Sequence, residues 1–298
     1  MANEELTTLL GMLRAGGPDL GAPPLEARAA FEELLSGLPV AEDLRFDADS
    51  LAGLPTLKAT TPTSAADRAL VYFHGGAFVV GSPQGYRGLA GELARAGGMT
   101  GYAVDYRLAP ETPFPGAVED ATAAYLALLE RGYTPNRIAF AGDSAGGGLT
   151  LSTLVKLRDA GHPLPACALL ISPWADLACE GGSITSKAVE DPSLTAEALR
   201  KTAAHYLNGA NAKSPLASPV HADLSGLPPL LVQVGSAEIL LDDAVRVAQV
   251  AGHAGTSVRL DIWPAMVHVW HAFAFMLPAG RAAIADAGAF FKHHLEGK

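Results

Sequence analysis

The stretch IAFAGDSAGGG, residues 138–148, decides the fold because it joins a buried strand to a helix through a Gly-x-Ser-x-Gly turn. Apolar residues fill the strand Ile138–Ala141, and Leu149–Arg158 is typical of a helix. A serine on so sharp a turn points its hydroxyl out of the sheet, and the flanking glycines let the backbone pack without Cβ clashes. The helix that follows favours developing negative charge at its N-terminus. The pattern therefore indicates Ser144 as a nucleophile.

A glycine-rich turn between a strand and a helix can also bind phosphate. The usual nucleotide-binding patterns are absent from this chain: no Gly-Lys-Ser/Thr follows Ser144, and Gly-x-Gly-x-x-Gly does not occur. The sequence context therefore favours the nucleophile over the phosphate site.

Short apolar runs alternate with helix-length segments on both sides of this turn. Continuous apolar strands that alternate with helices predict an α/β fold, with a mainly parallel central sheet flanked by helices. The predicted strands are Ala69–Phe73, Thr100–Val104, Ile138–Ala141, Cys167–Ile171, Leu230–Val234 and Val258–Ile262.

Two segments interrupt this alternation. Residues 1–45 are typical of amphipathic helices, and residues 175–213 contain the helical piece Thr195–Leu207 but no clear strand. An insertion between two strands lies over their carboxyl ends, where α/β proteins bind ligands. We therefore expect 1–45 and 175–213 to form a helical cap over a catalytic domain made of residues 46–174 and 214–298.

The composition restricts the partners of the protein. The formal net charge of −10 repels phosphate backbones and anionic lipid, so we expect no nucleic-acid partner. No apolar run approaches the ~18 residues that span a bilayer, so we expect no membrane insertion. The cysteines, Cys167 and Cys179, lack the spacing of a disulfide framework or metal site, and the amino terminus is acidic, unlike a signal peptide. These features predict a cytoplasmic protein.

A serine nucleophile needs a base, and the base needs a carboxylate that orients it. The loop after one predicted strand contains Glu238 and Asp242. The loop after the last predicted strand contains His268 and His271. Both loops leave the carboxyl ends of strands, so these side chains can converge on Ser144.

With these residues in place, the chain resembles the hormone-sensitive-lipase-like bacterial carboxylesterases of the α/β-hydrolase fold. The resemblance implies a serine esterase that hydrolyses short-chain acyl esters through an acyl-enzyme, with a small-molecule ester as its partner and no cofactor or metal. The stretches that carry it, in family order over about residues 70–275, are HGGA (74–77), DYRLAPE (105–111), GDSAG (142–146), SPW (172–174) and the two downstream loops.

By this resemblance Ser144 is the nucleophile, Glu238 the orienting acid and His268 the general base. The family usually has Asp-Pro-Leu in the acid loop, and aligning Leu240 with that leucine places Glu238 on the acid. Asp242, one helical turn later, is the rival acid.

The family's His-Gly-Phe appears here as His268-Val269-Trp270, and His271 is the rival base. His268 and His271 could also be read as zinc ligands. The glutamate of the zinc motif His-Glu-x-x-His is missing here, so the sequence favours the catalytic base over a zinc site.

The HGGA stretch is expected to supply the oxyanion hole, with backbone N–H groups of Gly75 and Gly76 joined by that of Ala145. His74 is expected to hold the loop by hydrogen bonding rather than to take part in catalysis. Glycine at these positions permits close approach and unusual dihedral angles.

We expect Phe78, Leu207 and Trp270 to close a small acyl pocket. An arylacetamide-type amidase or deacetylase on the same scaffold is the alternative activity, and a non-catalytic receptor of the same fold is the alternative class. The resemblance also implies a homodimer, formed through the edge strand Val258–Ile262 and the last helix.

Overall fold

The computed structural model describes residues 4–295; the ends of the predicted cap (1–3) and of the predicted catalytic domain (296–298) lie outside it. The strands are β1 (Arg45–Leu51), β2 (Leu54–Thr60), β3 (Ala65–Phe73), β4 (Met99–Val104), β5 (Ile138–Asp143), β6 (Cys167–Ile171), β7 (Leu230–Gly235) and β8 (Val258–Trp263). The helices are α1 (Glu4–Arg14), α2 (Pro24–Ser36), α3 (Arg87–Gly97), α4 (Gly116–Glu130), α5 (Ala145–Asp159), α6 (Ser183–Ser186), α7 (Ala196–Leu207), α8 (Leu241–His253) and α9 (Pro278–Leu295).

The described strands form one eight-stranded sheet in the order β1-β2-β4-β3-β5-β6-β7-β8. The strands from β4 to β8 in this order pair in parallel, whereas β2 pairs antiparallel with both β1 and β4. This arrangement confirms the predicted α/β-hydrolase fold. The antiparallel strands β1 and β2 escaped prediction because no continuous apolar run marks them: β1 has one buried residue, Leu51, and β2 has two, Thr56 and Ala59.

Helices cover both faces of the sheet, and side chains of successive strand residues point to opposite faces. In β3, Val71 and Phe73 pack on the face covered by α4, α5 and α8. Leu70 and Tyr72 pack on the other face, against α3 and α9. Because both faces are covered, strands β4, β5, β6 and β7 are buried throughout, which explains why their sequences are mostly apolar.

The segments predicted as a cap pack against the loops at the carboxyl edge of the sheet. In α1, the fully buried Leu9 packs in one cluster with Val267 and Trp270, which flank the predicted base. In α7, the ring of Tyr206 stacks on Phe78, with 3.9 Å between ring centroids. Among the described residues, no helix has the length and apolar character to cross a membrane.

Parallel strands bring the candidate functional loops to one edge of the sheet. The loops after β3, β5, β7 and β8 begin at the carboxyl ends of four strands that lie within the same parallel set. They carry the HGGA stretch, Ser144, Glu238 and His268 respectively. The fold therefore gathers the predicted site at the edge where α/β proteins bind ligands.

Candidate active site

Ser144 sits on a tight turn between β5 and α5, with φ 53° and ψ −121°. A non-glycine residue reaches this conformation only where the surroundings enforce it. The neighbouring glycines permit it: a Cβ on Gly146 would lie 1.9 Å from the carbonyl oxygen of Phe73, and one on Gly142 would lie 2.2 Å from that of Gly146. The N–H of Ser144 donates to the carbonyl of Ile171 at 2.8 Å. These contacts fix the turn and hold the serine at the floor of a cavity.

His268 and Glu238 form a hydrogen-bonded pair in the loops after β8 and β7. The distance from Nδ1 of His268 to Oε2 of Glu238 is 2.7 Å. Glu238 is fully buried, and its Oε1 accepts from the N–H of Gly235 at 2.6 Å and from the hydroxyl of Ser172 at 2.8 Å. A carboxylate can only accept, so Nδ1 carries the proton and Nε2 is left free to act as a base.

The surroundings of His268 favour its protonated form. Burial by itself lowers the pKa of the imidazole, but the hydrogen bond and charge of Glu238 outweigh it, with further contributions from the carboxylates of Asp191 and Asp143. The net effect is a pKa raised above the ordinary histidine value. An imidazole in this field readily accepts a proton from a serine hydroxyl.

The rival acid and the rival base make other contacts. Asp242 accepts from the N–H of Ser183 at 2.9 Å, and so anchors the segment before α6. His271 is buried, with 2.9 Å between its Nε2 and Oε1 of Gln233. Burial lowers the pKa of His271 to about 3, so its ring stays neutral. The structure therefore pairs Glu238 with His268 and leaves both rivals in structural positions.

The HGGA loop offers different N–H groups from those expected. The N–H of Gly75 donates to Oδ1 of Asp143 at 2.9 Å and is therefore occupied, which corrects its assignment to the oxyanion hole. Gly76 and Ala77 line the cavity beside Ser144, with φ values of 113° and 54°. Among the described residues, their N–H groups have no hydrogen-bond acceptor. The free donors are therefore those of Gly76 and Ala77, together with Ala145 at the start of α5.

Asp143 anchors the HGGA loop to the turn of the nucleophile. Its buried carboxylate accepts from the hydroxyl of Tyr72 as well as from the N–H of Gly75. Burial raises the pKa of Asp143 to about 6, so it is largely ionised at neutral pH. A Cβ on Gly75 would lie 2.2 Å from Oδ2 of this carboxylate, which explains why glycine occupies the position.

His74 supports the same loop from below. Its ring stacks on Tyr106, with 4.3 Å between centroids, and on Tyr86 at 5.6 Å. Its Nδ1 lies 2.7 Å from the carbonyl oxygen of Gly75. Burial lowers the pKa of His74 to about 4, so the ring is neutral at physiological pH. These contacts fit a structural histidine.

A cavity of about 540 Å³ opens above Ser144 and His268. Its walls come from two parts of the predicted cap, the residues around the end of α1 and in α2, and the segment between α6 and α7. The apolar wall residues from these parts and from α7, none of which the sequence pattern assigned to a pocket, are Leu13, Leu20, Phe31, Leu34, Leu35, Val189, Leu194 and Leu199.

The three residues predicted to close an acyl pocket lie elsewhere, and none lines this cavity. Phe78 is buried against Tyr206 and Trp174 in the main core. Leu207 belongs to the same core, and Trp270 is buried beneath α1. These three side chains pack in the core clusters, which corrects the predicted pocket.

One group of side chains among residues 4–295 has the spacing of metal ligands: Asp176, Glu180 and His221. Asp176 already pairs with Arg246 at 2.6 Å, and Glu180 pairs with Lys213 at 2.7 Å. Because both carboxylates are neutralised by cations, this cluster is an ion-pair network.

Comparison with known proteins agrees with this geometry. The family described as alpha/beta hydrolase fold matches residues 70–272. An acetyl-hydrolase of Streptomyces hygroscopicus is 53% identical over 231 residues, which cover 78% of this chain and 77% of that protein. An esterase of Acinetobacter venetianus is 34% identical over 272 residues, covering 91% of this chain and 89% of that protein.

Solved structures give the same result over the full length. The crystal structure of an esterase from the bacterial hormone-sensitive lipase family superposes with a TM-score of 0.95 at 45% identity, covering 99% of this chain and 100% of that chain. The chain therefore belongs to the α/β-hydrolase fold family, in the branch of the bacterial hormone-sensitive lipase esterases.

Proposed function

We propose that this protein is a serine carboxylesterase that hydrolyses short-chain acyl esters through an acyl-enzyme. Ser144 attacks the ester carbonyl while Nε2 of His268 takes its proton. Glu238 holds the imidazole in the required tautomer and stabilises the imidazolium. The alcohol leaves with a proton from His268, and a water activated by the same histidine then releases the acid and frees Ser144.

The tetrahedral intermediate carries a negative charge that needs preorganised donors. The N–H groups of Gly76, Ala77 and Ala145 are the donors proposed to receive it, and each is worth roughly 3 kcal/mol in such a site. The dipole of α5 adds a positive potential at the same point. Backbone N–H groups and the dipole of α5 therefore account for the stabilisation of the intermediate.

The observation that carries the proposal is that four loops, which follow β3, β5, β7 and β8, bring complementary groups together at one cavity. The strained turn presents Ser144, the buried Glu238 orients His268, and the HGGA loop leaves two N–H groups free. The test is ester turnover by the purified protein and by Ser144→Ala. We expect the variant to lose activity by at least about 10³-fold at unchanged melting temperature; near-normal turnover by the variant would refute the proposal.

The preference for short acyl chains is supported by the name of the relative that is 53% identical, an acetyl-hydrolase, because acetyl is a two-carbon acyl group. A series of p-nitrophenyl esters from acetate to dodecanoate tests this: kcat/KM should be highest for the shortest chains. A maximum at dodecanoate would contradict it.

Hydrolysis of acetyl amides is a second candidate activity. A relative that is 53% identical is named acetyl-hydrolase, a name that covers acetyl groups on oxygen or nitrogen. The same Ser144 and His268 chemistry serves both, since only the leaving group differs. Turnover of 4-nitroacetanilide beside p-nitrophenyl acetate decides between them.

We further propose a homodimer formed through β8, the edge strand of the sheet, and α9. Ile262 in this strand is 46% exposed, a large apolar side chain on an unpaired edge. Light scattering of wild type and Ile262→Lys tests this; a monomeric wild type would refute it.

The proposed location is the cytoplasm, which is supported by the two cysteines, Cys167 and Cys179, both free thiols in the structure. Fractionation of the source cells tests it. Recovery of the protein outside the cytoplasm would refute this location.

A further inference from the structure

Asp191, in the segment between α6 and α7, makes contacts that neither the sequence pattern nor the proposed mechanism uses. Its Oδ1 accepts from the N–H of Ser193 at 2.8 Å and from that of Leu194 at 2.9 Å. Its Oδ2 accepts from the N–H of Ile239 at 2.8 Å. Ile239 follows Glu238 directly, so one carboxylate ties the cap segment to the loop of the orienting acid.

Asp191 is 8% exposed, and no arginine or lysine side chain forms an ion pair with it among residues 4–295. A buried carboxylate is stable only where hydrogen bonds or a cation compensate it. Three backbone N–H groups hold it here, and His268, which can gain a positive charge, lines the same cavity.

The charged groups around His268 define the field in which it titrates. Glu238 is in direct contact, and Asp191 and Asp143 act on the imidazole through space, all three raising its pKa against the effect of burial. Arg14 and Asp19, from the amino-terminal part of the predicted cap, also line the cavity. Of the three carboxylates that raise the pKa of His268, Asp191 is the one that comes from the predicted cap.

We propose that Asp191 is a positioning residue for the hydrolysis: it fixes the loop that carries Glu238, and its carboxylate, which pairs with no arginine or lysine among the described residues, stabilises the imidazolium that His268 becomes. This inference rests on the proposed roles of Ser144 and His268. It gives the predicted cap a role in catalysis, because Asp191 contributes both a negative charge near His268 and a hydrogen bond to the N–H of Ile239.

The test separates the effect of the Asp191 charge from that of its hydrogen bond to the N–H of Ile239. Activity requires neutral His268, so kcat/KM falls on acidification as the imidazole is protonated, and this fall is the acidic limb of the pH profile. Asp191→Asn removes the negative charge, which eases deprotonation of His268 and moves the acidic limb to lower pH. The plateau of kcat should fall on the order of tenfold, because the imidazolium loses a stabilising charge. Asp191→Glu keeps the charge and should leave the limb in place whatever its effect on rate.

Asp242→Asn is the matched control. Asp242 also ties the segment near α6 to the region after Glu238, through the N–H of Ser183. It is not among the carboxylates that contribute most to the raised pKa of His268. We expect its acidic limb to coincide with that of the wild type.

The inference is overturned if the limb of Asp191→Asn coincides with that of the wild type, or if Asp242→Asn shifts it equally. Should the asparagine variant fail to fold, Asp191→Ser gives the same comparison with a smaller neutral side chain. Failure of the proposed function would look different, because Ser144→Ala would then match the wild type in ester turnover.

Discussion

Substitution of Gly75 by alanine should disable the site through the Asp143 anchor. The added Cβ would lie 2.2 Å from Oδ2 of Asp143 and 2.9 Å from the hydroxyl oxygen of Tyr86. Non-bonded heavy atoms prefer about 3.5 Å, so the first contact is more than about 1 Å too short. Because Asp143 and Tyr86 are buried and cannot move away, the backbone of the HGGA loop has to move instead. This movement displaces the N–H groups of Gly76 and Ala77.

The size of the effect follows from this displacement. A shift of about 1 Å in catalytic groups costs roughly 10²-fold in rate, and overpacking of a buried site costs about 1–3 kcal/mol in the free energy of unfolding. We therefore expect kcat/KM for p-nitrophenyl acetate to fall by about 10²-fold, mostly in kcat, in a protein that still folds.

The matched control is Gly88→Ala in α3, where the nearest atom to the added Cβ is the carbonyl oxygen of Pro39 at 3.6 Å. That is an ordinary contact, and alanine favours a helix over glycine by about 1 kcal/mol. The control should keep full activity with an equal or higher melting temperature. If Gly75→Ala retains kcat/KM within about threefold of the wild type, the Asp143 anchor does not position the oxyanion donors.

Three further predictions concern the acid, the base and a buried histidine. Glu238→Gln should lower kcat by roughly 10³-fold or more, because an amide can stabilise the wrong tautomer of His268 and carries no charge; a decrease below tenfold in steady-state kinetics would contradict this. In the wild type, kcat/KM should fall on acidification with a midpoint above the ordinary histidine pKa, since His268 has a raised pKa and must be neutral; a midpoint below that value contradicts it. His271 has a folded pKa of about 3 against 6.5 for its ordinary value, so its contribution to stability is full above about pH 6.5 and is lost as the pH falls toward 3. Urea unfolding should therefore show the wild type losing stability relative to His271→Gln by up to about 1.4 kcal/mol per pH unit between pH 6.5 and 5; a constant difference refutes it.

The fold was accessible from sequence because its signals are local. Continuous apolar strands and the turn around Ser144 are each specified within a few residues, and parallel strands then place the loops of Glu238 and His268 at one edge. The roles of these three residues stay predictions until activity is measured. Strand β1 was missed because its residues alternate between exposed and half-buried positions without an apolar run.

Contacts between distant residues were beyond the reach of the sequence pattern. The acceptor that occupies the N–H of Gly75 lies 68 residues away in the chain, so the loop motif alone could not show which donors are free. Apolar character indicates that Phe78 and Trp270 are buried, but not whether they face a cavity or the core beneath it. Asp191 carries the local mark of an Asx turn, whereas its bond to Ile239 spans 48 residues.

The central claim is that Ser144 is the nucleophile of an ester hydrolase, and covalent labelling tests it most directly. Incubation with a fluorophosphonate, followed by intact-mass and peptide mass spectrometry, should show one adduct per chain on the peptide that contains Ser144. Loss of ester turnover should follow the labelled fraction, and Ser144→Ala should take up no label. Inactivation with the adduct on another residue, or full turnover by a fully labelled protein, would contradict the account.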